Sequence, residues 1–245
     1  MRSFWRSYRL LLVWDVLRRR RILPMIVLIQ LALSVGVVYG LSFLLPDIDA
    51  RSAVYLATGA PTLTILLLGL TVVPQEVAQA KLTGRLDWFS TLPVPRLAPL
   101  AAKITYWLLA ALPGTALALV VSSYRFDVGL QVSPLVVPAL LLVAATASAV
   151  GYAIASASPP GATQQVSSFV SIGVLLFSPV SLPAEQLPAP LQAVHDVLPV
   201  EPMADAVRWS LTGGYVEQPA WAFGTVALWC GAALLLSARV ATRRH

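Results

Sequence analysis

This sequence of 245 residues contains little of what enzymes use for chemistry. It has one cysteine, two histidines and 11% charged residues, and it lacks HExxH, GxSxG, GxGxxG and Walker-type glycine-lysine motifs. A single cysteine, Cys230, excludes an internal disulfide, and two histidines leave almost no material for a metal site or a histidine-based triad. We therefore expect no catalytic residue in this chain, and no metal or cofactor bound by it.

Charge is scarce because apolar residues dominate. The sequence is 58% hydrophobic, with a mean hydropathy of +0.77, which is more apolar surface than a soluble domain of this length can bury. The apolar residues come in blocks of about twenty, typical of membrane-spanning helices and not of the alternating strands of a membrane barrel. The sequence predicts an all-α, multi-pass protein of the cell (plasma or inner) membrane, with one transmembrane domain over residues 1–245.

Six apolar blocks are long enough to span a membrane, at 22–45, 53–73, 97–122, 132–157, 164–181 and 219–237. We expect the second span to stop at Pro74. Residues 1–21 place Arg2, Arg6 and Arg9 opposite an apolar face, which predicts a helix lying in the membrane interface. The linker 182–218 is too polar to cross a bilayer, and two short helices fit it, one after Pro188 and one after Pro202.

The distribution of basic residues predicts the orientation. Lysine and arginine are rare in loops that are moved across a membrane. With both termini in the cytoplasm, only Arg51, Arg125 and Arg208 of the 17 basic residues fall in outer segments. The formal net charge of +6 follows from this topology, so it gives no reason to expect a nucleic-acid partner.

The stretch 75–96 is a charged island between two spans, and membrane crossing does not require it. Leu82, Leu86 and Phe89 fall at i, i+4 and i+7, and Lys81 and Arg85 line a neighbouring stripe, so a helix here is amphipathic. Such a helix suits a membrane surface or a groove in a partner protein. A solvated cytoplasmic loop is the alternative interpretation.

Ionisable groups are missing from the span interiors. A proton relay or an ion-coupled carrier needs such groups at membrane depth, so both are disfavoured, and the energy for any transport would come from another protein. Lys103, near the start of the third span, is expected to extend towards the membrane surface. His195 and Asp196 lie in the linker 182–218, where we expect a solvated pair at the membrane edge.

Two stretches carry more specific motifs. Glu76, Gly84 and Leu92-Pro93 lie in the stretch 75–96, and the outer linker contains Leu187-Pro188, Leu191-Gln192, Leu198-Pro199 and Asp205-Ala206-Val207-Arg208. With the order of spans, these motifs resemble the membrane subunits of type-2 ATP-binding-cassette (ABC) exporters, the family of drug, polysaccharide and lipid exporter permeases. Lys81 and Gly84-Arg85 depart from the family pattern, which often has a second acidic residue and a Gly-Thr pair there.

The resemblance implies an architecture and a mechanism. It implies an N-terminal elbow helix (1–21), a cytoplasmic coupling helix (75–96) between spans 2 and 3, and outer-leaflet helices (182–218) between spans 5 and 6. A separate ATPase subunit would bind ATP and Mg²⁺ and press on the coupling helix, and a second membrane subunit, identical or different, would complete a dimer. The expected ATPase-coupling residues are Glu76, Lys81, Gly84, Arg85, Leu86 and Phe89.

The resemblance also implies a substrate path along spans 2 and 5, at the interface between two membrane subunits. The polar residues on these spans are Thr58, Thr62, Thr64, Gln164, Gln165, Ser167 and Ser168. An uncharged path suits export of an amphipathic drug-like or lipid-like substrate from the cytoplasm, as in multidrug efflux or lipid transport. The alternative for these residues is structural, with hydroxyls bonded to their own backbone and glutamines near the membrane surface. The rival function is a non-transport membrane assembly protein or an intramembrane enzyme.

Overall fold

The computed structural model describes residues 2–44, 49–85, 91, 93–95, 97–181 and 183–242, and the regular structure within them is helical. The helices, numbered in chain order, are α1 (Arg2–Arg19), α2 (Leu23–Leu44), α3 (Ala50–Leu82), α4 (Leu97–Phe126), α5 (Val136–Ala157), α6 (Thr163–Phe177), α7 (Ala189–His195), α8 (Val200–Thr212) and α9 (Pro219–Thr242). A short 3-10 helix, Ala184–Gln186, precedes α7. The predicted all-helical class is therefore confirmed for the described residues.

Helix α3 lies at the centre of the bundle. It packs against α2, α4, α5, α6 and α8, and its apolar side chains, such as Leu56 and Leu66, are buried. Helices α2 and α9 instead expose large apolar side chains, such as Leu28 and Leu228, as expected of helices that face lipid. The hydrophobic core therefore surrounds α3, and the outer helices separate it from the surroundings.

Helix α3 continues past Pro74, the residue at which the second span was predicted to stop. Asp49 caps the helix start by accepting a hydrogen bond from the Ser52 backbone (3.1 Å), and the helix then runs for 33 residues with Pro61 and Pro74 inside it. A membrane helix tolerates proline where neighbouring helices pack against the freed backbone. Here Gly151 of α5 faces the Pro74 ring, and a Cβ on Gly151 would lie only 3.1 Å from Pro74 Cδ.

Among the described residues, five helices are long and apolar enough to cross a membrane. They correspond to the predicted spans 1, 2, 3, 4 and 6 and include the segments Leu23–Gly40, Ala50–Leu82, Ala101–Phe126, Val136–Ala157 and Pro219–Leu236. The predicted fifth span corresponds to α6, whose 15 residues extend only about 22 Å. This is shorter than a hydrocarbon core of about 30 Å, so a sixth span stays a prediction, as does the cytoplasmic location of both termini.

The N-terminal segment and the outer linker are helical, as the sequence predicted, whereas within the stretch 75–96 helix α3 ends at Leu82. Helix α1 packs its Tyr8 side against α4, with the Tyr8 hydroxyl donating to Thr105 Oγ1 (3.0 Å), while Arg6 and Arg9 are exposed. Helix α7 begins after Pro188 as predicted, but α8 begins after Pro199, earlier than expected. Pro202 lies in the first turn of α8, where its missing N–H costs no hydrogen bond.

The closest approach of α3 and α5 can be tested with a glycine substitution. A Cβ on Gly151 would lie 2.3 Å from the Gly69 carbonyl oxygen, so Gly151→Ala forces the two backbones apart. We expect it to lower the free energy of unfolding by about 1–3 kcal/mol, measured by thermal unfolding in detergent. Gly224→Ala in α9 is the control because, apart from the adjacent backbone of its own helix, nothing lies within 4 Å of its added Cβ. Equal stability of the two variants would contradict this packing.

Candidate functional site

One group of charged residues meets near the C-terminal end of α3, where this helix enters the stretch 75–96. Glu76 forms ion pairs with Arg19 of α1 and with Lys103 of α4 (3.4 Å), and it accepts a hydrogen bond from Trp107 Nε1 (3.2 Å). Asp15, one turn earlier in α1, also forms an ion pair with Arg19 (3.7 Å). We call Asp15, Arg19, Glu76, Lys103 and Trp107 the Glu76 cluster; it joins α1, α3 and α4.

The Glu76 cluster is mostly shielded from the surroundings. The side chains of Arg19 and Glu76 are each 12% exposed, and the Arg19 guanidinium lies 5.2 Å from the ring centroids of both Tyr106 and Trp107. Burial lowers the pKa of Arg19, and the nearby Asp15 carboxylate opposes that shift. A shielded charge with several partners is costly to separate from any one of them, so the cluster fixes the positions of three helices.

Lys103 lies in a place that the sequence did not predict. We expected its side chain to extend towards the membrane surface, but its ammonium contacts Glu76, and only 21% of the side chain is exposed. Sequence reasoning missed the pairing because Arg19, Glu76 and Lys103 are far apart in the chain, and only the crossing of three helices brings them together.

The predicted coupling residues divide into two groups. Glu76 and Lys81 lie within α3 and have partners inside the bundle, and Gly84 and Arg85 follow the end of that helix. The Thr83 backbone donates to Gln79 O (3.1 Å) and Gly84 has a φ of 64°, a left-handed conformation that ends helices and favours glycine. The predicted Leu86 and Phe89 lie outside the described residues, as does Leu92. The coupling role of all six residues stays a prediction.

The predicted path threonines of α3 have local partners. Thr58, Thr62 and Thr64 are fully buried. Their hydroxyls donate to carbonyl oxygens one turn earlier, those of Val54 (2.8 Å), Thr58 (3.1 Å) and Ala60 (2.9 Å). Such bonding is the structural alternative stated above, and within one chain it leaves these hydroxyls no free surface for a substrate.

The predicted path residues of α6 lie apart from those threonines. Gln164 and Gln165 are exposed, and Gln164 Nε2 donates to Ser168 Oγ (3.2 Å) along the same helix. Ser167 is buried, and its hydroxyl has no hydrogen-bond partner within the described part of the chain. Thr71 and Ser171, which sequence reasoning did not select, form a side-chain hydrogen bond between α3 and α6 (2.9 Å).

A second cluster holds α8 against the opposite end of α3. Arg208 is 1% exposed; it pairs with Asp205 and donates to Val180 O (2.9 Å) and to Thr58 Oγ1 (3.3 Å). Its guanidinium carbon also lies 3.7 Å from the centroid of the Tyr55 ring. We call Tyr55, Thr58, Val180, Asp205 and Arg208 the Arg208 cluster. The sequence placed Arg208 in the outer linker, but not its contacts with α3.

Burial dominates the electrostatics of the Arg208 cluster. It lowers the pKa of Arg208 and raises the pKa of Asp205, and in each case the charge of the partner opposes the shift. Burial also raises the pKa of Glu201, in the first turn of α8, and the Asp205 charge adds to that rise. The ion pair therefore offsets part of the cost of burial, and loss of Asp205 would leave the buried Arg208 charge without its carboxylate.

His195 is buried, and the expected solvated pair with Asp196 is wrong. The ring is 6% exposed, and Nε2 lies 2.8 Å from Phe177 O, whereas Asp196 is exposed. A carbonyl oxygen only accepts, so Nε2 carries the proton and His195 fastens α7 to the end of α6. The linker folds back onto the bundle, and sequence spacing did not reveal that burial.

Removal of the Arg208 guanidinium tests whether its ion pair with Asp205 stabilises the protein. In Arg208→Met the partly buried Asp205 loses its cation and α8 loses its bonds to Val180 and Thr58, so we expect the free energy of unfolding to fall by about 3 kcal/mol. The measurement is thermal unfolding in detergent. The double variant Arg208→Met/Asp205→Leu removes both charges and should regain part of the stability. If the double variant were less stable than Arg208→Met, the ion-pair explanation would be wrong.

Comparison with known proteins identifies the family. Residues 46–239, most of the chain, match the family described as ABC-2 family transporter protein. No curated protein matches the chain closely enough to serve as a relative. The matched region includes α3 to α8 and most of α9, and therefore the Arg208 cluster together with Glu76, Lys103 and Trp107. The chain is thus a multi-pass membrane protein that belongs to the ABC-2 transporter family, a membrane component of a transport system, as the resemblance predicted.

Proposed function

We propose that this chain is the permease subunit of an ABC exporter that moves an amphipathic, drug-like or lipid-like substrate out of the cytoplasm. A separate ATPase subunit binds ATP and Mg²⁺ and drives the cycle by pressing on the stretch 75–96. The observation that carries the proposal is the continuity of α3, because the most enclosed helix of the bundle runs without a break from Ala50 into that stretch. A force applied there therefore reaches the centre of the protein.

The length of α3 supports this role. Its 33 residues extend about 50 Å, whereas a hydrocarbon core is about 30 Å thick. An α3 that crosses the membrane therefore projects beyond the core, and the charge distribution of the sequence puts its Glu76 end in the cytoplasm. In this proposal Gly84 and Arg85, with Leu86 and Phe89, face a groove of the ATPase.

The substrate path in this proposal follows the surface of α6, where a second membrane subunit completes it. The exposed side of α6 carries Gln164 and Ser168 beside apolar residues such as Phe169 and Ile172, which are 81% and 55% exposed. An apolar surface with a few uncharged hydrogen-bonding groups suits amphipathic molecules better than ions. Another side of α6 packs against α3, where Thr71 and Ser171 share a hydrogen bond.

Substitutions in the coupling stretch test the ATPase contact. We expect Leu86→Glu to reduce both copurification of the ATPase and transport-coupled ATP hydrolysis about tenfold, because a charge replaces an apolar contact. Gly84→Glu should have a similar effect since only glycine readily adopts a φ of 64°, whereas Gly84→Asn, which tolerates that conformation, should retain most activity. Val132→Glu, at an exposed apolar position between α4 and α5, is the matched control. Unchanged ATPase copurification and ATP hydrolysis in both Leu86→Glu and Gly84→Glu would refute the coupling proposal.

A substitution scan of the spans tests the substrate path. We expect variants that impair efflux of amphipathic dyes to cluster on one face of α3 and one face of α6. Gln164→Ala and Ser168→Ala should reduce efflux about fivefold, the effect of one lost hydrogen bond, without a change in thermal stability. Thr62→Val, by contrast, should change stability because this hydroxyl is bonded inside α3. Impaired variants scattered evenly over all the spans would count against this path.

A further inference from the structure

Lys81 makes a contact that the coupling proposal does not require. It lies in the last turn of α3, and its ammonium donates to the carbonyl oxygens of Ala155, Ser156 (3.3 Å) and Ser158 (3.2 Å). Those carbonyls belong to the C-terminal end of α5, which ends at Ala157. The side chain therefore joins the end of α3 to the end of another predicted span.

The Lys81 ammonium and the carbonyl oxygens at the end of α5 complement each other in charge and in hydrogen bonding. The last carbonyls of a helix have no partner within the helix, and they carry the negative end of the helix dipole. A lysine ammonium has three donors and no acceptor, so it can satisfy several such carbonyls at once. Hydrogen bonds to a charged donor are roughly twice as strong as neutral ones. Lys81 thus replaces the donors that α5 lacks beyond its last turn.

Glu76 holds the same part of α3 on a different side. It lies five residues before Lys81, which places the two side chains about 140° apart around the helix axis. Its ion pairs lead to Arg19 of α1 and Lys103 of α4, whereas Lys81 leads to α5. The last two turns of α3 are therefore connected by charged contacts to three other helices.

We propose that Lys81 and Glu76 are positioning residues that carry a displacement of the coupling stretch into α5 on one side and into α1 and α4 on the other. This inference rests on the proposed function, and it assigns the two charges to contacts inside the subunit and not to the ATPase surface. Both groups already have partners, and exchanging these for an ATPase would leave the buried charges of Arg19 and Lys103 without Glu76. The ATPase surface then begins at Gly84, just beyond the end of α3 at Leu82.

The experiment measures the distance between the ends of α3 and α5. Spin labels are attached to Leu82→Cys and Ala157→Cys, both at exposed positions, in a Cys230→Ala chain, which has no other thiol. In the purified chain we expect a narrow distance distribution that becomes broad in Lys81→Met, because methionine keeps the apolar stem and lacks the donors. Lys81→Arg should restore the narrow distribution. Gln79→Met, at an exposed position two residues before Lys81, is the control and should leave the distance distribution unchanged.

The same labels are then measured in complex with the ATPase that copurifies with the wild-type chain. On addition of ATP and Mg²⁺, the wild-type distance should stay constant because the two helix ends move together, and it should change in Lys81→Met. The ATPase should copurify equally with the wild-type protein and with Lys81→Met. If Lys81→Met does not fold, Lys81→Gln, which keeps one neutral donor group, takes its place.

The outcomes distinguish failure of the inference about Lys81 from failure of the proposed function. A distance distribution in Lys81→Met equal to that of the wild type overturns the inference, as does loss of ATPase copurification, which would make Lys81 a contact residue. A wild-type distance that changes with ATP as much as the variant distance also overturns it. If the wild-type chain binds no ATPase, the proposed function fails, but the measurement on the purified chain still decides whether Lys81 holds α3 to α5.

Discussion

The structure depends on the enclosure of α3. A helix that is surrounded by other helices needs neighbours that can approach its backbone closely. Apolar surfaces gain little from association in lipid, so this close packing supplies much of the stability. Gly69 and Gly151 provide it between α3 and α5, and Gly59 provides it against the turn at Val180 and Ser181. The order of the remaining helices around the bundle follows from which of their faces can meet α3.

Charged side chains are confined to the two ends of this enclosed helix. The Glu76 cluster and the Arg208 cluster are separated by a long section of α3 in which the polar side chains are uncharged, among them Thr62, Thr64 and Thr71. Hydroxyls in that section bond to nearby oxygens, either in their own helix or in α6. This arrangement keeps charge away from the middle of the bundle, where desolvation costs most, and uses it where helices need fixed positions.

The sequence predicted features that depend on local pattern. Apolar blocks of about twenty residues gave the helical class and five of the spans, and the start of α7 followed from Pro188. Features that depend on contact between distant segments were missed. Gly151 lets α3 continue past Pro74, Glu76 draws Lys103 inward, and the fold of the linker buries His195. For the candidate site, the sequence selected Glu76 and Lys81 as coupling residues, a role that stays a prediction, but it did not reveal their partners in α1, α4 and α5.

The close contact near Gly69 also has a mechanical consequence. Gly69 lies about 20 Å from Leu82 and about 28 Å from Ala50 along the helix axis, and α5 packs closely against the backbone of α3 there. A contact of this kind acts as a fulcrum. A tilt that carries the Leu82 end of α3 in one direction would carry the Ala50 end, with the Arg208 cluster and α8, in the opposite direction and about 1.4 times as far. A small displacement on one side of the membrane would thereby become a larger, reversed one on the other.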